Sequence, residues 1–162
     1  MKTLTLRFED DFISKKLDAS KWITRYFWGD KILKDAYSLA TDQHFLTDGE
    51  NIEITNSTLK INTRQEEVTG KAWDPLLGFF PKDFKYTSGI ISSGKSFRQQ
   101  FGVIQAKIRL NKPGKVTHAF WMTGDRILPQ IDIFKSDNSK LLMTNFWGNI
   151  TEKEGIRKNT VS

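Results

Sequence analysis

Between Gln130 and Lys135 the chain reads Gln-Ile-Asp-Ile-Phe-Lys, with polar and apolar residues alternating until Ile133 and Phe134 stand side by side. In an unbroken strand successive side chains point to opposite faces. Gln130, Asp132 and Phe134 would then share a face and Lys135 would turn away. A bulge at the doublet inserts one unpaired residue and returns Lys135 to the face of Gln130 and Asp132. An amide, a carboxylate and an ammonium group then line one stripe.

The elements that would carry such a stripe are strands. Period-two alternation bounded by turn residues recurs along the chain. Ile52 to Thr55 and Leu59 to Asn62 flank Asn56-Ser57 and predict a hairpin with a polar turn. Further strands are expected over 88–92 and 102–110, the latter stopped by Asn111-Lys112-Pro113-Gly114. Ala119-Phe120-Trp121-Met122, the Gln130 segment and Leu141 to Trp147 complete the set. Helical periodicity is weak and confined to 31–39, and 149–162 reads as a loop or frayed end. These features predict an all-β domain with short strands at sandwich spacing, and 162 residues suit a single domain over 1–162.

Composition narrows the classes of function. Twelve Phe, five Trp and three Tyr give an ordered, aromatic-rich chain. The formal charge of +6 would suit an acidic partner, but no run of five Lys or Arg forms a nucleic-acid footprint, so no nucleic-acid partner is expected. No apolar stretch reaches the length of a membrane span, and no membrane partner is expected. The absence of cysteine removes disulfides, thiolate metal sites and cysteine nucleophiles. His44 and His118 lack the spacing of a metal pair. The opening MKTLTLRFEDDF has no apolar core of a signal peptide, which leaves the compartment open. The sequons at Asn56 and Asn149 carry no weight at this pattern length.

The bulged segment resembles the Glu-Ile-Asp-Ile-Met-Glu motif of glycoside hydrolase family 16, the laminarinase, lichenase and carrageenase group. The flanks extend the likeness: Tyr86-Thr87-Ser88-Gly89, Phe101-Gly102, Ala106 to Leu110 and Ala119 to Met122 follow the family's order and spacing. Upstream, Phe8 to Phe12, Leu17-Asp18 with Trp22, and Asn51-Ile52 resemble its opening, so the similarity spans about 6–148. The resemblance implies a jelly-roll sandwich of two sheets, here without the family's C-terminal strands. Sheet edges left unpaired by that loss would invite self-association. It also implies a secreted or periplasmic setting and a polysaccharide partner, a β-glucan or an anionic galactan.

In the family the first Glu of the motif is the nucleophile, the last is the acid/base and the Asp tunes the nucleophile. This chain keeps only the Asp, as Asp132, with Gln130 and Lys135 in the other two positions. Retaining hydrolysis needs two carboxyl groups about 5–5.5 Å apart. Gln130 has the shape of a Glu without its charge and cannot form a glycosyl ester at a useful rate. Lys135 can only donate unless its pKa is strongly lowered, and Asp132 favours its charged form. Asp137 misses the acid position by roughly a strand dipeptide, about 6.6 Å. The resemblance therefore implies a sugar-recognising domain with no intact catalytic residue; a weakly active endo-glycosidase acting on a β-glucan or galactan and a structural or interaction remnant without sugar affinity are the alternatives.

Its implied contacts are Asn51, Trp121, Gln130, Asp132 and Trp147. Alternatives stay open for several of them: core packing for Trp121, turn capping for Asn51 after Asp48-Gly49, and an ion pair between Asp132 and Lys135. The family's Trp-Pro ahead of Ala-Phe-Trp is Thr117-His118 here, and its His after the motif is Phe146. No cofactor is expected. Glu9, Asp10 and Asp11 could contribute to the family's structural calcium, with a solvated acidic start as the alternative, and the resemblance puts the distal ligand beyond Ser162.

Overall fold

The computed structural model describes residues 3–28, 35–111, 116–125, 128–137, 140–148 and 156–161, the side chain of Asp137 excepted. All regular structure among these residues is strand. The chain divides into two compact units, Met1–Val103 and Ile104–Ser162.

The first unit is built on a four-stranded sheet. Strands β1 (Ser38–Leu39) and β2 (His44–Leu46) flank a long antiparallel hairpin of β5 (Arg64–Asp74) and β6 (Gly78–Ser88), each running parallel to its neighbour in the order β1-β5-β6-β2. Between β2 and β5 in the chain, β3 (Ile52–Ile54) and β4 (Leu59–Ile61) form a separate hairpin. Its turn is the expected Asn56-Ser57. Both residues take positive φ, 52° and 51°, the geometry that lets a two-residue loop follow the twist of its strands. Thr55 and Thr58 close it with reciprocal backbone bonds of 3.0 and 3.1 Å.

Among the described residues of this unit the buried apolar side chains are Tyr26, Tyr37, Leu46, Ala72 and Phe84. Phe45 packs against Phe84 at 5.6 Å between ring centres and lies over Gly70, where a Cβ would come within 2.4 Å of its ring. Glycine is therefore required at 70 by close approach. The Lys82 ammonium donates to the carbonyls of Ala40 (2.7 Å) and Asp42 (2.6 Å), which fastens the β1–β2 connection to the central hairpin.

The second unit is a four-stranded antiparallel sheet in the order β10-β9-β8-β7, made of β7 (Ala119–Thr123), β8 (Gln130–Asp137), β9 (Lys140–Gly148) and β10 (Ile156–Val161). The last of these corrects the expectation of a frayed end: all six residues of β10 pair with Met143 to Gly148. Its sequence lacks apolar alternation because its side chains are exposed throughout, so pairing with β9 is what orders it.

Three other expectations are corrected. Residues 102–110 alternate like a strand, yet form no ladder among the described residues, because alternation supplies a face and not a partner. The expected strand over 88–92 contributes only the end of β6 and an isolated bridge from Ser92 to Ile23. No helix forms in 35–39, where Ser38 and Leu39 make β1. The remainder of that weak helical pattern (31–34), the turn residues Lys112 to Gly114 and Asn149 lie outside the described residues.

Candidate functional site

The bulge predicted from the Ile133-Phe134 doublet is present in both ladders of β8. Against β7, Asp132 pairs with Trp121 and Phe134 with Phe120, leaving Ile133 unpaired. Against β9, Asp132 pairs with Thr144 and Lys135 with Leu142, so three steps on β8 match two on β9. Residues opposite one another in an antiparallel ladder share a face. Gln130, Asp132 and Lys135 consequently lie on one face with Ala119, Trp121 and Thr123 of β7 and Leu142, Thr144 and Phe146 of β9. The register of β10 adds Lys158, opposite Phe146, and Thr160, opposite Thr144.

Asp132 sits at the middle of this face and is 4 % exposed. Its Oδ1 accepts a 2.6 Å hydrogen bond from Gln130 Nε2. A buried carboxylate needs donors, and the neighbouring amide supplies one. The same bond fixes the amide: with Nε2 turned to Asp132, Oε1 is left as an acceptor. Beside Asp132, Thr144 is buried and donates to Thr160 Oγ1 at 3.1 Å. No ion pair joins Asp132 to Lys135 among the described residues, and Lys135 is exposed. The ion-pair alternative for these two residues is thereby set aside.

The aromatic candidates separate. Trp121 is directly opposite Asp132, on its face. Trp147 is not: Phe146 pairs with Gln130, so Trp147 points to the opposite side of the sheet, level with Arg157 of β10. A shared platform of Trp147 with Gln130 and Asp132 is thereby corrected. Phe146 is the aromatic residue that β9 contributes to this face.

Asn51 belongs to the first unit and is 0 % exposed. Its amide donates to the carbonyl of Asn62 (2.9 Å) and to Thr87 Oγ1 (3.0 Å), and its carbonyl oxygen accepts from Thr47 Oγ1 (2.7 Å). With both amide hydrogens committed internally, Asn51 holds the β3–β4 hairpin to β6, in line with the turn-fixing alternative. Asp10 likewise spends both carboxylate oxygens, on Phe12 N (2.9 Å) and Trp22 Nε1 (2.7 Å). Among the described residues no three acidic or histidine side chains converge on a cation position.

The chemistry open to the face follows from its inventory. Among its described side chains Asp132 is the one carboxylate, buried and engaged by an amide. Asp137 has the register parity of this face, but its side chain lies outside those described. Gln130, Thr144, Thr160 and Thr123 offer donors and acceptors, and Trp121 and Phe146 offer apolar surface. Such a set can exchange hydrogen bonds with hydroxyl groups and offers apolar surface beside them.

The strands, together with the likeness that follows, place the chain in the all-β jelly-roll fold class. A solved structure with this fold is the catalytic domain of an endo-1,3-beta-glucanase (laminarinase) from Thermotoga petrophila, matched with a TM-score of 0.68 at 20 % identity over 99 % of this chain and 63 % of that one. The chain thus spans about 63 % of the length of the domain it resembles, and at this identity the likeness is one of fold. No family model and no curated protein matches the sequence.

Proposed function

We propose that this chain recognises a polysaccharide through the bulged face of its second unit and does not cleave it. The observation that supports this most directly is the Gln130–Asp132 hydrogen bond. The position at which the motif resemblance requires a nucleophilic carboxylate holds an amide whose N–H is spent on the neighbouring Asp. Displacement at an anomeric carbon needs a second carboxyl group about 5–5.5 Å from the first. Lys135 at the other position brings a donor and no base. The residues for binding are Gln130, with Oε1 as acceptor, Asp132 as the group that orients it, and Trp121 and Phe146 as apolar surface for sugar C–H groups. The β-glucan named for the laminarinase neighbour is the first ligand to test.

The test is calorimetry with laminarin, lichenan, agarose and carrageenan, with reducing-sugar release measured on the same samples. Binding without release, weakened at least tenfold in Trp121→Ala, is expected. Release above a heat-killed control would overturn the non-cleaving reading and point to a carboxylate elsewhere. A folded protein that binds no glycan would overturn recognition itself.

A further inference from the structure

Three lysines fall on the site face by register, Lys135, Lys140 and Lys158. Lys140 pairs in register with Asp137, whose side chain lies outside those described. Lys135 and Lys158 face uncharged residues across their ladders. The residues opposite Lys135 are Ala119 and Leu142, and the residue opposite Lys158 is Phe146. Both are exposed, and neither forms an ion pair among the described residues. Asp132, the described carboxylate of this face, is buried and bonded to Gln130.

Lys158 is level with Gln130, two strands away, roughly 10 Å at about 4.8 Å per strand. Lys135 lies two pleats along β8 from Gln130, roughly 13 Å. The two ammonium groups therefore flank the Gln130–Asp132 pair from different directions, one across the strands and one along them. A ligand lying over the pair meets both. For a neutral glycan this arrangement is wasteful, since each ammonium gives up hydration for hydrogen bonds to hydroxyls alone. For a ligand with anionic substituents each becomes a charge-assisted contact, about twice as strong as a neutral one.

We propose that the face selects a polysaccharide bearing anionic groups, sulfate or carboxylate, and that Lys135 and Lys158 read those groups. This rests on the carbohydrate-binding reading above and deepens it by naming the ligand class.

The experiment compares one backbone in three forms: laminarin, sulfated laminarin and carboxymethylated laminarin, titrated calorimetrically at low and high salt. The modified forms are expected to bind roughly 9- to 25-fold more tightly than laminarin, at about three- to fivefold for each of the two exposed lysines. That preference should shrink with salt and vanish in the Lys135→Gln/Lys158→Gln double variant. A second double variant, Lys85→Gln/Lys107→Gln, lowers net charge equally at exposed positions outside the face and should keep the preference. The sulfated and carboxymethylated arms show which anion fits. Equal affinity for all three forms would overturn the anionic class while leaving sugar binding intact. So would a preference that survives in Lys135→Gln/Lys158→Gln or disappears in the control pair. No binding to any form would overturn both readings.

Discussion

Replacing Gln130 by glutamate tests the geometry at the centre of the site. In the native chain the amide N–H of Gln130 faces Asp132 Oδ1 at 2.6 Å, and Asp132 is 4 % exposed. Gln130→Glu exchanges that donor for a second acceptor. Two ionised carboxylates with their charges about 4 Å apart, at an effective dielectric near 20, repel by roughly 4 kcal/mol. This corresponds to about 3 pKa units at about 1.36 kcal/mol each. The folded variant avoids the repulsion by retaining one proton, which lets the carboxylic hydroxyl of the introduced side chain donate to Asp132 as the amide does. The folded pair then holds a proton that the unfolded chain releases near pH ~4.3.

The unfolded state binds fewer protons over that interval, so stability falls as pH rises. Relative to the native chain, Gln130→Glu should be near neutral at about pH 4 and weaker by roughly 2–4 kcal/mol at about pH 8, the lower figure if the introduced carboxylate turns partly outward. Urea unfolding of both proteins at about pH 4, 6 and 8 measures this. A stability difference independent of pH would refute the reasoning, because it would mean that residue 130 and Asp132 do not share a hydrogen bond in solution.

Other consequences follow from the first unit. Gly70→Ala drives a Cβ to within 2.4 Å of the Phe45 ring and should lower stability by about 1–3 kcal/mol in urea unfolding. Lys82→Met keeps the aliphatic stem and removes the donor shared by the Ala40 and Asp42 carbonyls, at an expected cost of about 1.5–3 kcal/mol in the same assay. Burial pushes the Tyr37 hydroxyl up to about 12 and that of Tyr26 higher still, with Asp42 adding to the latter. Their contribution to stability is complete below the unfolded tyrosine value of about 10 and is lost as pH rises above it. Their phenolate absorbance should therefore appear together with loss of tertiary structure in an alkaline titration; ionisation of both in the intact fold would contradict the burial argument.

Much of the site strand was legible in the sequence because its signal is local. The Ile133-Phe134 doublet breaks parity, and a parity break inside a strand has few solutions other than a bulge. The Asn56-Ser57 turn was legible for a similar reason. The face of Trp147 was not, since Leu141-Leu142-Met143 is continuously apolar and carries no parity. Only the pairing of Phe146 with Gln130 decides it. The β5–β6 hairpin was hidden because Arg64 to Lys71 is largely polar, and β10 because it is exposed on every residue. Such strands are specified by a partner edge and not by their own alternation. For Asn51, residue type suits a ligand contact and a turn brace equally, and burial with both amide hydrogens used is what separates them.

The bulge and the residues displayed around it have separate causes. The bulge depends on an apolar doublet between two polar positions and on the ladders to β7 and β9, none of which requires a carboxylate at 130 or 135. The backbone can therefore keep its bulge while the side chains displayed around it change. A fold match at 20 % identity reports the backbone and is silent on the chemistry. The side chains speak to the chemistry: an amide held by Asp132, and two ammonium groups beyond it whose cross-strand neighbours carry no charge. If the bulge alone conferred cleavage, this chain would cut glucans. If carboxylates at both flanking positions are needed, it does not cut them, and binding without release is the outcome that the proposed reading expects.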